Sequence, residues 1–246
     1  MFESFGYSEF WVALLQIIGV NIVLSGDNAV VIALACRALP PSQQKKGVLF
    51  GSAGAIALRI LLTFFAASLL HLPYLKLVGA GLLVWIGVKL LVSENGDEGM
   101  SIESHGSLPA AIKTIITADV VMSLDNVIGV AAAAQGDLLL MVLGLLISIP
   151  LIVFGSTVIM RLMERFPVII VIGGGLLGYV AGEMALTDIS VQGWVDREIP
   201  WCHQAIPILV AVLVVLAGTW LDRRARAASR PLVDLVESGV VGHGKD

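Results

Sequence analysis

Two Asp-Asn pairs stand inside apolar sequence, Asp27-Asn28 in NIVLSGDNAVVIA and Asp125-Asn126 in DVVMSLDNVIGVA. The segments cover residues 21–33 and 119–131 and align without a gap at an offset of 98. Ser25 then meets Ser123, Asp27 meets Asp125, Asn28 meets Asn126, and the polar Asn21 meets Asp119. Carboxylate, amide and hydroxyl oxygens form a hard donor set that suits Mg2+, Mn2+ or Ca2+. No His or Cys stands beside either pair, which speaks against Zn2+ or Cu+. Asp27, Asn28, Asp125 and Asn126 are therefore the candidate metal ligands, with Asp119 as a neighbour. Asn21, Ser25, Ser123, Arg59 and Glu183 are the supporting polar groups of the same apolar segments. Met122 and Met184 are potential soft ligands favouring Mn2+, although methionine in a membrane helix usually serves packing.

A charge at the centre of a bilayer costs at least about 2.5–3.5 kcal/mol, so each of these residues needs a reason. The structural reading is an ion-pair network. Arg59 is one base against Asp27, Asp119, Asp125 and Glu183, and it cannot neutralise all four. The functional reading is a cation site, favoured because the Asp-Asn pair recurs at equivalent places. Arg59 is expected to pair with Asp119 or Asp125. At about 100° per residue, Asn21, Ser25 and Asn28 share a helix face, as do Asp119, Ser123 and Asn126. Asp27 and Asp125 point elsewhere on straight helices, so local unwinding is expected at Ser25-Gly26 and around Ser123-Leu124.

The elements that must carry these residues are membrane spans. The 246-residue chain is 57% hydrophobic and 14% charged, against about 25% charged in soluble domains. Residues 138–160 and 199–221 contain no Asp, Glu, Lys or Arg at all. About 20 apolar residues cross a bilayer core, so soluble enzyme folds are excluded and no enzymatic activity is expected. A net charge of −4 excludes a nucleic-acid partner, and Cys36 and Cys202 encode neither a disulfide framework nor a cysteine metal cluster. His203 beside Cys202 is a weaker metal candidate at a Trp-containing membrane edge. The start, MFESFGYSEFW, lacks the positive charge of a signal peptide.

Apolar windows predict seven spans at about 10–36, 47–70, 73–92, 108–134, 138–160, 167–187 and 204–221. With the N-terminus outside, Arg37, Lys45, Lys46, Lys89, Lys113, Arg161, Arg165, Arg223, Arg224, Arg226, Arg230 and Lys245 fall in the cytoplasm. Only Lys76 and Arg197 stay outside, so the positive-inside bias sets the chain N-out and C-in. A second correspondence, VGAGLLVWIGVK (78–89) with IGGGLLGYVAGE (172–183), aligns Gly79 with Gly173 and Gly81 with Gly175 at an offset of 94. Spans one to three and four to six are thus copies of one unit. An odd number of spans per unit forces opposite orientations.

The expected fold is all-α: a polytopic membrane protein of seven transmembrane helices, an inverted 3+3 repeat plus one extra helix. Residues 1–92 form the first three-helix repeat, 93–107 a polar cytoplasmic linker, and 108–190 the second repeat. Residues 191–203 form an outer loop, and 204–246 the seventh helix with a basic cytoplasmic tail. That tail opens on LDRRARAASRPLVDLVES and is expected to lie along the inner membrane surface. In inverted-repeat transporters the site lies near the midplane, where the two units meet.

Through NIVLSGDNAVVIALACRALP and TADVVMSLDNVIGVAAAAQGD the chain resembles the TerC family of integral membrane proteins, in its shorter YjbE-like branch. The resemblance spans essentially the whole membrane region. It implies a seven-span metal-ion transporter related to the lysine-exporter superfamily, with manganese efflux as the activity. It carries the family's acidic motif onto Asp27, Asn28, Asp125 and Asn126, with Asp119 beside them.

The expected function is therefore secondary transport exporting a divalent ion, Mn2+ first, across the cytoplasmic membrane. The metal is substrate, and no permanently bound cofactor is expected. Export runs against an inside-negative potential at about 2.3 kcal/mol per charge per 100 mV, so a coupling ion is needed. Two neighbouring carboxylates that hold protons when metal-free supply one, and exchange of two protons per metal would be electroneutral. The alternative is a non-transporting membrane partner that assists assembly or metallation of secreted proteins. Organic-cation export ranks last, because no aromatic residue lies in either Asp-Asn motif. No Walker loop supports ATP-driven pumping. The expected partners are the bilayer and the metal-ion substrate, with a homo-oligomer or a translocon contact as the alternatives for a protein partner. In a background without Cys36 and Cys202, a membrane-impermeant thiol reagent applied outside should label Asp196→Cys and not Arg226→Cys. The opposite pattern would overturn the orientation.

Overall fold

With no water in the bilayer core, every backbone N–H and C=O must be paired within the protein. Continuous apolar runs without turn residues do this as helices, and that is what this chain forms. The computed structural model describes residues 11–12, 14–15, 18–19, 26–69, 72–92, 107–133 and 138–228. In chain order the helices are α1 (Gly26–Cys36), α2 (Pro41–Leu69), α3 (Leu75–Leu91), α4 (Leu108–Ala133), α5 (Leu138–Arg165), α6 (Val168–Leu186), α7 (Gln192–Glu198) and α8 (Cys202–Ala228). No strand occurs among the described residues. Pro41 opens α2 at the position where its missing N–H leaves no helical bond unmade.

Four stretches among the described residues are long and apolar enough to cross a membrane: Pro41–Thr63, Val142–Arg165, Val168–Leu186 and Cys202–Ala225. They correspond to the expected second, fifth, sixth and seventh spans. Among the described residues, the other three expected spans do not reach that standard. At 17 residues α3 is about 25 Å long, short of a core about 30 Å thick. Of the first span, α1 accounts for 11 residues, and part of the segment before it lies outside the described residues. The fourth span is a 26-residue helix whose side chains from 125 onward lie outside the description. The linker at 93–107 is described only at Ser107.

The connection expected at 191–203 contains α7, held by a small apolar cluster of Leu186, Val195 and Cys202. The basic stretch after Trp220 is helical as far as Ala228, as a continuation of α8, and the rest of the tail lies outside the described residues. Arg224 stacks over the Trp220 ring at 3.9 Å, an arrangement that continues the helix one turn beyond the apolar run.

Small residues set how the helices pass one another. A Cβ at Gly178 would lie 2.8 Å from the Ala211 Cα, and one at Gly182 2.7 Å from the Pro207 Cα, so α6 and α8 meet backbone to backbone. These pairs run in opposite senses, making α6 and α8 antiparallel. Gly87 lies against Val214 and Leu91 against Gly218, so α3 and α8 are parallel. Gly79 faces Met184 while Leu91 covers Gly174, so α3 and α6 are antiparallel. Gly51 and Gly54 face Ile115 and Ile116, which brings α2 against α4. One continuous core results, with Leu34, Leu83, Ile86, Ile115 and Leu177 fully buried, while Phe154, Ile172, Val78 and Leu213 cover the outer surface.

The N-terminal end of α3 depends on a carboxylate far away in sequence. Tyr74, in a left-handed conformation at φ 66°, gives α3 no side-chain cap. The buried Asp188 supplies it instead, accepting the backbone N–H groups of Tyr74 (3.1 Å), Lys76 (3.0 Å) and Leu77 (3.3 Å). Ser190 adds its N–H at 2.9 Å and its hydroxyl to the same oxygen, Oδ1. Burial opposes ionisation of Asp188, but the Ser190 hydroxyl and these N–H groups outweigh it and bring the carboxyl down from 3.8 to about 2. A depressed folded-state value means that the contribution is complete above about pH 4 and lost as the pH falls towards 2. Asp188→Asn removes the charge from this cap and should lower stability by about 1.5–3 kcal/mol at pH 7. Unfolding in detergent at pH 7 and pH 3 checks this: the gap between wild type and variant should shrink at pH 3. An equal gap at both values would show that the charge does not contribute.

Candidate functional site

Residues Asp119 and Ser123 stand one turn apart on the same face of α4. The close passage at Gly51 and Gly54 brings Arg59 of α2 level with them, further along in the same direction, so α2 and α4 are parallel here. Arg59 is 2% exposed, Asp119 7% and Ser123 fully buried. The Arg59 Nη2 pairs with Asp119 Oδ1, its Nε donates to Ser123 Oγ at 2.9 Å, and Ser123 Oγ donates to Asp119 Oδ2 at 3.2 Å. Guanidinium, hydroxyl and carboxylate thus close a ring of three contacts. In general, removing one member of a buried ion pair costs about 3–5 kcal/mol. Thr63 Oγ1 adds a bond to the Arg59 carbonyl at 2.7 Å, fixing the next turn of α2.

On α1, Asp27 occupies the first described turn and is half-buried. The Asn28 N–H donates to Asp27 Oδ1 at 2.8 Å, so the two residues of the motif are locally linked. Asp27 lies within electrostatic range of both Arg59 and Asp119. Asn28 is 4% exposed, and its Oδ1 and Nδ2 are both buried without a hydrogen-bond partner among the described residues. An unsatisfied buried amide costs about 1–3 kcal/mol, so its retention needs a reason. Its oxygen is a hard donor beside a carboxylate, the chemistry of a cation ligand.

The structure brings together Asp27, Asn28, Asp119, Ser123 and Arg59 out of the residues singled out in the sequence. Of the two acids named for Arg59, it pairs with Asp119, and the side chain of Asp125 lies outside the described residues. Asn21 and Ser25 lie outside the described residues, as do the side chains of Asp125 and Asn126. The unwinding expected around Ser123-Leu124 does not occur: α4 is continuous from Leu108 to Ala133, and Ser123 is used in a side-chain contact. The break expected at Ser25-Gly26 falls at the edge of the described residues. Glu183 does not join the cluster. It is exposed in the last turn of α6, because that helix ends at Leu186. Met122 and Met184 are buried in the core, with the Met184 Cε packed where a Cβ on Gly79 would stand. Cys202 is buried, and its neighbour His203 instead meets Asp196 at 2.7 Å on the surface. Among the described residues, no three His, Cys, Asp or Glu side chains converge to hold a metal ion.

Sequence reasoning missed the Asp188 cap. An Asp followed two residues later by Ser is a local turn signature, which reveals the Ser190 bonds but not the distant α3 partners.

Comparison with known proteins gives several relatives. The chain is 40% identical over 215 residues to the uncharacterized membrane protein YjbE of Bacillus subtilis (strain 168), covering 87% of this chain and 97% of that protein. It is 25% identical over 210 residues to the uncharacterized membrane protein YceF of the same organism, 82% of this chain and 79% of the relative. It is 25% identical over 199 residues to the UPF0053 inner membrane protein YgdQ of Escherichia coli (strain K12), 74% and 83% of the two chains. No solved structure matches. Residues 7–226 match the model of the integral membrane protein TerC family, and the chain belongs to that family.

Proposed function

We propose that this protein is a secondary transporter, not an enzyme. It exports divalent metal ions, Mn2+ foremost, across the cytoplasmic membrane in exchange for protons. The observation that carries the reading is Asn28, a buried carboxamide with both polar atoms unpaired beside Asp27. In this reading Asp27-Asn28 of α1 and Asp125-Asn126 of α4 face one site near the bilayer midplane and provide oxygen ligands to the cation, completed by backbone carbonyls or water. The cation is substrate, and no resident cofactor is required. Hard oxygen donors favour Mn2+, Mg2+ or Ca2+ over softer metals.

The helix packing supports an inverted repeat of α1–α3 and α4–α6 with α8 as the extra helix. Every packed pair that joins the two units has its counterpart when they are exchanged: α2 with α4 and α5 with α1, α3 with α4 and α6 with α1. The pairs α1 with α4, α2 with α5 and α3 with α6 map onto themselves. The equivalent glycines follow the same rule, Gly79 of α3 facing Val121 of α4 and Gly173 of α6 facing Val30 and Leu34 of α1. The helix directions also favour seven alternating spans, since α2 parallels α4, α3 parallels α8, and α6 opposes both α3 and α8. Taken with the positive-inside bias, that arrangement supports a chain with its N-terminus outside and its C-terminus in the cytoplasm.

Two experiments test this. Asn28→Leu removes an unpaired amide, so the folded protein should be as stable as wild type or more so. Its Mn2+ flux in proteoliposomes with a pH gradient should nevertheless fall by at least about tenfold, as for loss of a metal-site group. Lost stability with normal flux would make Asn28 structural. Asp27→Asn and Asp125→Asn should both insert and fold while losing flux to the same degree. Normal flux in either folded variant would remove the shared site, and a wild type that never moves metal would favour the non-transporting partner.

A further inference from the structure

We propose that the cytoplasmic end of α8 binds an anionic phospholipid, its phosphate on Arg223 and Arg224 and its acyl chain along Leu216 and Trp220. The orientation proposed above enters only in naming the leaflet, and the transported cation does not enter at all. Residues 199–221 carry no Asp, Glu, Lys or Arg, and 222–226 then hold three arginines against one aspartate. Leu216, Ala217, Thr219, Trp220 and Arg223 line a groove of about 440 Å3. Spaced i, i+3, i+4 and i+7, Leu216, Thr219, Trp220 and Arg223 share one face of the helix. Leu216 is 58% and Trp220 51% exposed, so this face stays open among the described residues. Leu216 and Arg223 are about 10 Å apart along the axis, enough to pass from hydrocarbon into a headgroup layer about 5–8 Å thick.

Recognition of a phosphate falls to the guanidinium groups, because the Thr219 hydroxyl already donates to the Val215 carbonyl at 2.7 Å. Arg223 and Arg224 are exposed, and the Arg224 guanidinium carbon lies 3.9 Å from the centre of the Trp220 ring. Planar N–H donors suit phosphate oxygens, and stacking on an indole orders the guanidinium while leaving the donors on its edge available. The same arrangement recurs on neighbouring helices. Parallel to α8, with Leu91 level with Gly218, α3 holds Lys89 at 5.2 Å over the Trp85 ring. At the end of α5, Arg165 lies 5.7 Å from the Phe166 ring. All three base-over-ring pairs among the described residues thus lie at helix ends assigned to the cytoplasmic side. At the other side Trp194 and Trp201 are exposed, and no base stacks on either among the described residues. Aromatic belts occur at both faces of a membrane, so it is the bases that mark one leaflet for anionic headgroups. A basic rim over an apolar groove fits a lipid, which carries anion and hydrocarbon in one molecule. The same face of a second copy would set arginine against arginine.

The test reads which lipid touches Trp220. Trp11→Phe, Trp85→Phe, Trp194→Phe and Trp201→Phe leave Trp220 as the one indole of the full chain. The protein is reconstituted in phosphatidylcholine vesicles that contain either brominated phosphatidylglycerol or brominated phosphatidylcholine, and quenching is compared with unbrominated vesicles. Phosphatidylglycerol should be favoured at Trp220 by about fivefold or more. Arg223→Gln with Arg224→Gln should bring that ratio to about one, and so should salt at about 1 M, where screening acts within about 3 Å. Equal quenching by the two lipids in the parent protein would overturn the proposal, as would a preference that survives the double change. Absence of quenching by either lipid would also overturn it, showing the ring covered by residues 229–246 or by a second copy. Native mass spectrometry of the chain with all its tryptophans, in detergent with added phosphatidylglycerol, repeats the comparison. The unsubstituted chain should retain about fivefold more of this lipid than the Arg223→Gln, Arg224→Gln variant, and equal retention would remove the site. Neither readout uses metal flux, so failure here leaves the transporter reading untouched.

Discussion

The arrangement turns on one buried ion pair. A guanidinium and a carboxylate inside a membrane protein are each too expensive alone, and each is tolerable only because α2 and α4 run side by side. That passage exists because Gly51 and Gly54 present no side chain to Ile115 and Ile116, where a Cβ would come within 2.5 Å and 2.8 Å of their Cδ1 atoms. The pair then sets the register of α2 on α4, and with it the height at which Ser123 and the following Asp-Asn motif sit. Asp27 and Asn28 are reached from α1, which packs against both helices.

Away from the centre the structure is held at its ends and along one seam. Asp188 caps α3 from the far side of the chain and ties the start of that helix to the end of α6. At the other end of α3, Leu90 accepts a bond from Arg37 at 2.9 Å, which fixes the end of α1 beside it. Between them, Gly174, Gly178 and Gly182 let α6 lie close to Leu91 and to α8. These contacts involve no candidate ligand. They make a rigid wall of α3, α6 and α8 against which α1 and α4 are positioned, so the site is carried on helices rather than on loops.

Much of this was readable in the residues. Arg59, as the one base inside a span, had to find an intramembrane acid, and the offset of 98 drew attention to Asp119 and Ser123. The helical class followed from charge-free runs longer than any soluble core helix needs. What escaped was geometry that spacing does not encode. Glu183 lies within the apolar stretch of α6, but spacing alone did not show that the helix turns it to the exposed side. A break in α4 would turn Asp125 toward its neighbour, but Leu124 offers no Gly or Pro to make one, and the helix continues. The Asp188 cap joins residues more than a hundred positions apart, beyond any local pattern. The seam of α6 and α8 was visible as a Gly-rich run, but its partner helix was not.

The central claim is that a cation sits against Asp27 and the unpaired Asn28 amide. Anomalous X-ray diffraction from crystals of the full chain grown with Mn2+ locates the ion directly. The account predicts a manganese peak between α1 and α4, at about 2.0–2.6 Å from Asp27 and Asn28 oxygens, with the Arg59–Asp119 pair intact. A peak only at surface carboxylates such as Asp196 beside His203, with the Asn28 amide still unpaired, would contradict it.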